Sequence, residues 1–200
     1  MEGPILGIAV LIFCLITLAK GVRQVPQGYK WVVQRLGKYH GSLTPGLKFI
    51  IPYIDNVAYK VTTKDIVLDI PSQEVITLDN VVIIANAVAY INIVSPEKAV
   101  YGVEDYELAI RTLVQTSLRS IIGEMALDDA LSSRDQIKSR LKTSISDDIA
   151  DWGITLKTVE IQDINPSGTM QTAMEEQAAA ERQRRATVTR ADGEKTAAIL

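Results

Sequence analysis

The chain has 200 residues, 47% of them hydrophobic, with a formal net charge of −3, one histidine and one cysteine. That length and apolar fraction suffice for a packed core, and the slight acidity argues against a general polyanion-binding surface, so nucleic acid is not an expected partner. One cysteine excludes an intramolecular disulfide, and with Cys14 inside an apolar run and His40 the sole histidine, no His-based triad, Cys–His pair or typical zinc site is expected, nor any metal or cofactor.

Residues 3–19 (GPILGIAVLIFCLITLA) carry no charged side chain between Glu2 and Lys20. As a helix rising 1.5 Å per residue they span roughly 25 Å, a little under the ~30 Å hydrocarbon core of a bilayer. Ile5, Leu6, Ile8, Val10, Leu11, Ile12, Phe13, Leu15, Ile16 and Leu18 each favour insertion by roughly 0.3–0.6 kcal/mol near the helix centre, and Lys20 and Arg23 can snorkel outward to relieve the mismatch. The run predicts one transmembrane helix anchoring residues 1–23. A cleaved signal peptide would place its cations before the apolar run, and a buried core helix would keep a polar face. Because Lys20 and Arg23 follow the span and nothing basic precedes it, the expected topology is single-pass with the bulk of the chain cytoplasmic. Cys14 reads as an apolar filler in that helix.

From Gln24 to Val94 the pattern becomes short alternating runs between turn residues, the signal for antiparallel strands. Pro26-Gln27-Gly28 breaks any continuation of the anchor helix, and Tyr29 to Arg35 alternates. A turn is predicted at His40 to Ser42, with His40 a solvated loop residue. The next stretch, Thr44 to Tyr53, is the most apolar after the anchor, and Pro45 and Pro52 bar it from a central strand. It is either a buried edge strand or an apolar tip resting in the lipid interface with Tyr53 at headgroup depth. Runs Ile66 to Ile70 and Glu74 to Leu78 lead through the polar turn pair Asp79-Asn80 into a long strand, Val81 to Val94. Its odd positions are all apolar and its even positions mixed, which predicts one core face and one partly covered face.

Ser95-Pro96-Glu97 is a helix start, with Ser95 as cap, and the helix runs to about Tyr101. Asp105 caps a second helix carrying Tyr106, Ile110, Leu113, Leu118 and Ile121 at helical spacing and ending at Gly123. After a single turn at Leu127 to Leu131, Ser133 to Gln136 fits a capping box. It opens a third helix with Ile137, Leu141, Ile145, Ile149 and Trp152 on one stripe. Gly153 stops it, and Ile154 to Ile164 alternates as a returning strand. Strands, then helices, then a strand make an α+β fold.

Past Pro166 the composition turns to Ala, Glu, Gln and Arg, and residues 167–200 read as the start of a long coiled-coil-type helix. Met170, Met174, Ala178 and Val188 are too small and sparse for a self-sufficient helix, so a partner strand or a neighbouring copy is implied. Arg182 and Arg185 interleave with glutamates, which predicts helix-to-helix salt bridges. The chain stops at Leu200 without a cap, and the sequence is read as cut from a longer one. No phosphate-binding glycine loop occurs. The carboxylate pairs Asp128-Asp129, Asp147-Asp148 and Glu175-Glu176 are sequence neighbours, which do not face each other on a helix. No local motif supports a Ser–Lys dyad, so the expectation is a protein that is not an enzyme.

Five segments, VPQGYKWVVQRLGKY (Val25 to Tyr39), TPGLKFIIPYID (Thr44 to Asp55), LDIPSQEVITLDNV (Leu68 to Val81), LSSRDQIKSRL (Leu131 to Leu141) and WGITLKTVEIQDINP (Trp152 to Pro166), resemble in order the SPFH superfamily. Within it the likeness is to the stomatin-like slipins and the bacterial QmcA-type proteins. The resemblance implies an α+β SPFH domain in two subdomains, 24–95 and 96–166, between the anchor and the coiled-coil helix. It also implies many copies assembled into membrane-bound rings or cages that organise microdomains, here in a bacterial inner membrane. The alternative it offers is a regulatory subunit or adaptor of a membrane-bound protease. It further implies that Leu47, Phe49, Ile50, Ile51, Pro52 and Tyr53 touch membrane lipid, and that the tail residues Met170, Met174, Ala178, Arg182, Arg185 and Val188 serve oligomerisation.

Overall fold

Alternation in the middle of the chain is realised as sheet, and helical periodicity after it as a layer that covers the sheet. The computed structural model describes residues 16–199, the side chains of Thr169 and residues 192–199 excepted. Residues 16–21 are helical. Seven strands follow: β1 (Val22–Val25), β2 (Tyr29–Arg35), β3 (Lys38–Leu43), β4 (Gly46–Phe49), β5 (Asp55–Thr62), β6 (Asp65–Ile76) and β7 (Val82–Ile93). Helices α1 (Pro96–Gly102), α2 (Tyr106–Gly123), α3 (Leu127–Ser132) and α4 (Arg134–Asp151) come next, then β8 (Ile154–Pro166) and the tail helix α5 (Gly168–Ile199). The strands form three antiparallel sheets, β1-β4, β3-β2-β5 and β6-β7-β8.

β7 is the centre of the largest sheet, and its period of two decides the core. Ile83, Ala85, Ala87, Ala89, Ile91 and Ile93 are all buried, whereas Ile84 and Val94 on the other face are exposed. The small alanines let helices approach the sheet closely. α4 lays Ile137, Leu141, Ile145 and Ile149 on it, each fully buried, and each contributes roughly 1.5–3 kcal/mol of apolar transfer. Ile110, Val114, Leu118 and Ile122 of α2 join them, and Val32 and Val61 tie the β3-β2-β5 sheet into the same core.

Several expectations are corrected. The turn between β2 and β3 lies at Leu36-Gly37, not at His40 to Ser42, which belong to β3; both turn residues have positive φ (49° and 82°), and leucine is a poor advertisement for that conformation. Ser95 and Ser133 precede α1 and α4 without a side-chain cap bond, whereas Asp105 caps α2 by accepting from the Leu108 N–H at 3.0 Å. The two runs before Asp79 are one strand, β6, with a register shift between Ile70 and Gln73, across Pro71. The terminal helix ends at residue 21, before Pro26, because β1 leaves it directly to pair with β4.

Of the predicted anchor, Ile5, Leu6, Ile8, Val10, Leu11, Ile12, Phe13 and Leu15 lie outside the described residues. Ile16 and Leu18 are helical and exposed. No helix among the described residues is long and apolar enough to cross a membrane.

Candidate membrane-facing site

A two-stranded ribbon follows the terminal helix, and its register sorts its side chains. Val22 stands opposite Phe49 and Gln24 opposite Leu47, while Arg23 stands opposite Lys48 and Val25 opposite Gly46. Directly opposed residues share a face, and faces alternate along a strand. One face therefore holds Val22, Gln24, Leu47 and Phe49, and the other holds Arg23, Lys48 and Val25. Val25 is 2% exposed and marks the inward face, whereas Leu47 and Phe49 are 70% and 75% exposed on the outward one. Large apolar side chains thus stand in solvent, while the opposite face carries the exposed Arg23 and the half-buried Lys48 beside Val25.

Beyond the ribbon the chain turns through residues 50–54. The Ile50 N–H donates to the Gly21 carbonyl at 2.9 Å, and a Cβ on Gly21 would sit 2.9 Å from the Ile50 carbonyl oxygen, so only glycine allows this approach. Ile51 and Tyr53 are 48% and 71% exposed, Ile50 and Pro52 partly so. The buried-edge reading of this stretch is overturned: β4 is an edge strand, but its large apolar side chains are uncovered. Lys20 lies 5.9 Å from the centre of the Tyr53 ring, and Thr17, Leu18, Gly21, Phe49, Ile50 and Pro52 line an apolar cavity of about 230 Å³ under the turn.

A carboxylate that sequence reasoning missed holds the turn. Asp55 Oδ1 accepts from Arg35 Nε at 2.6 Å, and Oδ2 accepts from Arg35 Nη2 at 3.0 Å and from the Ile51 N–H at 2.9 Å. Its own N–H donates to the Ile51 carbonyl at 2.9 Å. The bidentate guanidinium, helped by the Ile51 N–H, holds the Asp55 carboxyl down at about 2. Arg35 and Asp55 are cross-strand partners in β2 and β5, but nothing in their local sequence announces it.

The tail residues lie apart from this region. Met174 packs against the core, and Leu131, Ile164, Met174, Ala178 and Arg182 line a groove of about 470 Å³ at the base of α5. Val188 is exposed. Arg184 and Arg185 pair with Glu181 of their own helix, three and four residues away. His40 is exposed, and no group of acidic, histidine or cysteine side chains among the described residues is arranged to hold a metal ion.

Residues 23–195 match the SPFH domain / Band 7 family. The chain belongs to that family. A stomatin homologue of Pyrococcus abyssi is 44% identical over 189 residues, 94% of this chain and 70% of the relative. A protein of Archaeoglobus fulgidus is 43% identical over 192 residues, 96% of this chain and 77% of the relative. Human mitochondrial stomatin-like protein 2 is 39% identical over 175 residues, 88% of this chain and 49% of the relative, so the chain spans about half the length of that protein. The α+β arrangement of antiparallel sheets and packed helices is thus an SPFH domain, and the match begins at Arg23 within the ribbon that carries the exposed apolar face.

Proposed function

We propose that this SPFH protein is a membrane-bound scaffold, held by its N-terminal apolar run and by the β1-β4 ribbon and turn, that self-associates laterally into a large homo-oligomer through its tail helix. One observation carries the reading: Val22, Leu47 and Phe49 share one exposed face of the ribbon, continued by the exposed Ile51 and Tyr53, an apolar surface that is costly in water and favourable at a lipid surface. Partial insertion of Leu47, Phe49, Ile51 and Tyr53 removes exposed apolar area at roughly 25 cal/mol per Å². Tethering to one plane raises the effective concentration of neighbours, so weak contacts per copy along α5 suffice for assembly.

The test places a polarity-sensitive fluorophore on Leu47→Cys, with Cys14→Ser, in the full chain reconstituted into phosphatidylcholine vesicles. A blue-shifted emission that acyl-chain quenchers reduce is expected. Emission typical of water would remove the membrane contact from the proposal. Crosslinking in the same vesicles should yield ladders of this chain alone; a stoichiometric protease recovered from native membranes would favour the adaptor reading instead.

A further inference from the structure

Ile50 separates two cavities. On one side is the apolar cavity beneath the turn; on the other is a pocket of about 220 Å³ lined by Arg23, Trp31, Ile50, Asn56, Val57 and Lys60, with Asp55 at its wall. The second is cationic. Lys60 Nζ stands 4.9 Å from the centre of the Trp31 ring, and Lys48, directly across the ribbon from Arg23, adds a third positive charge on the same face. Among the described residues, none of Arg23, Lys48 and Lys60 forms an ion pair with a carboxylate. Asp55 does not neutralise them, because both of its oxygens are engaged by Arg35 and the Ile51 N–H and its side chain is 3% exposed.

Two like charges placed directly opposite on a ribbon destabilise it unless a counter-charge sits beside them. The pocket offers the place for one. An anionic oxygen there would accept from the guanidinium of Arg23, the ammonium of Lys60 and the amide of Asn56, and the ring of Trp31 would close one wall. The shared wall at Ile50 sets this polar pocket against the apolar turn, which is how a lipid's headgroup phosphate stands relative to its chains.

We propose that the pocket binds the phosphodiester of an anionic lipid headgroup, with Arg23 and Lys60 as its charged ligands and Lys48 as a supporting cation. The inference rests on the membrane-facing reading of the ribbon and deepens it, from contact with lipid in general to selection of anionic lipid.

The experiment uses the full chain in neutral maltoside micelles, with Trp31 fluorescence followed during titration with short-chain phosphatidylglycerol, short-chain phosphatidylcholine or inorganic phosphate. A saturable change with phosphatidylglycerol is expected, absent in Trp31→Phe, with a midpoint at least about tenfold lower than that for phosphatidylcholine. Arg23→Gln and Lys60→Gln should each raise the midpoint about tenfold, the scale of one charge-assisted hydrogen bond, and Lys60→Arg should restore it. Unchanged melting by circular dichroism establishes that each variant is folded. Equal midpoints for the two lipids, saturation by inorganic phosphate at the same concentration, or indifference to both Gln variants would each overturn the proposal. Leu47→Asp, on the outer face and away from the pocket, separates the two levels: a polarity-sensitive fluorophore on Tyr53→Cys, with Cys14→Ser, should move from a lipid-like to a water-like emission in vesicles, while the titration stays intact. If the fluorophore reports water even without Leu47→Asp while the titration behaves as described, the membrane-facing role of the ribbon fails and the headgroup site stands.

Discussion

At the scale of single residues, Asp55 and Gly153 show how much one atom can decide. The carboxyl of Asp55 titrates near 2 in the folded chain, below the usual carboxylate range of about 4, because Arg35 and the Ile51 N–H stabilise its charged form. Its contribution to stability is therefore present in full above about pH 4 and is lost as pH falls from there through about 2. Asp55→Asn should lower the urea midpoint at pH 6, and its deficit against the wild-type chain should shrink as both are measured from pH 4 down to pH 2. A deficit independent of pH would mean that the bond to Arg35 is not what lowers the pKa. Gly153 joins α4 to β8 at φ 68°, and its carbonyl accepts from the N–H groups of both Val94 and Ser95. An added Cβ would lie 2.7 Å from the Ser95 carbonyl oxygen and 2.9 Å from the Lys98 Cβ, so α1 would have to move. Gly153→Ala should cost about 2–4 kcal/mol, read as a lowered chemical-denaturation midpoint, whereas Gly37→Ala, with open space around it, should cost only its backbone strain of about 1–2 kcal/mol.

At the scale of elements, what could be read from the sequence was what depends on neighbours in the sequence. The alternation of β7 and the stripe of α4 are local periodicities, and the structure buries the residues they mark. The cap of α2 was equally legible, since Asp105 needs to reach only three residues ahead. Asp105→Ala should therefore destabilise the chain by about 1 kcal/mol, while Ser133→Ala, at a position with no side-chain cap bond, should fall within a few tenths of a kcal/mol of wild type in the same urea titration. The site was less legible because it is made by register between separate elements. The composition of residues 44–53 left burial and lipid contact both open; the register of β1 on β4, with Val25 buried and Leu47 and Phe49 exposed, shows which ribbon face is inward. β1 itself was hidden because its four residues form the charged flank of an apolar helical run. Asp79 reads as half of a turn pair, yet both its oxygens accept from the Leu127 N–H at 3.2 Å and so cap α3 from 48 positions away.

At the scale of the whole molecule, the tail helix is the element that the single chain leaves unexplained. α5 has 32 residues, roughly 48 Å at 1.5 Å per residue, and past Met174 and Glu181 its described side chains are exposed. A helix that is polar nearly all round gains little from folding alone, and the Glu181 bonds to Arg184 and Arg185 add only a few tenths of a kcal/mol each. On the proposed assembly its remaining stabilisation comes from other copies, and Ala178 and Val188 are among the small and apolar exposed positions open to close approach. Glutamate there costs little within one copy, because surface substitutions usually stay within about 0.5 kcal/mol, but it places like charges together wherever equivalent positions meet across a symmetric contact. The double variant Ala178→Glu with Val188→Glu should thus leave the melting of the SPFH domain unchanged while lowering particle mass by light scattering in mild detergent at 50 mM salt. Because the repulsion is between exposed charges, part of the lost mass should return at 500 mM salt, where the screening length is under half as long. A particle mass identical to wild type at both salt concentrations would move the assembly surface off the tail and onto the domain itself.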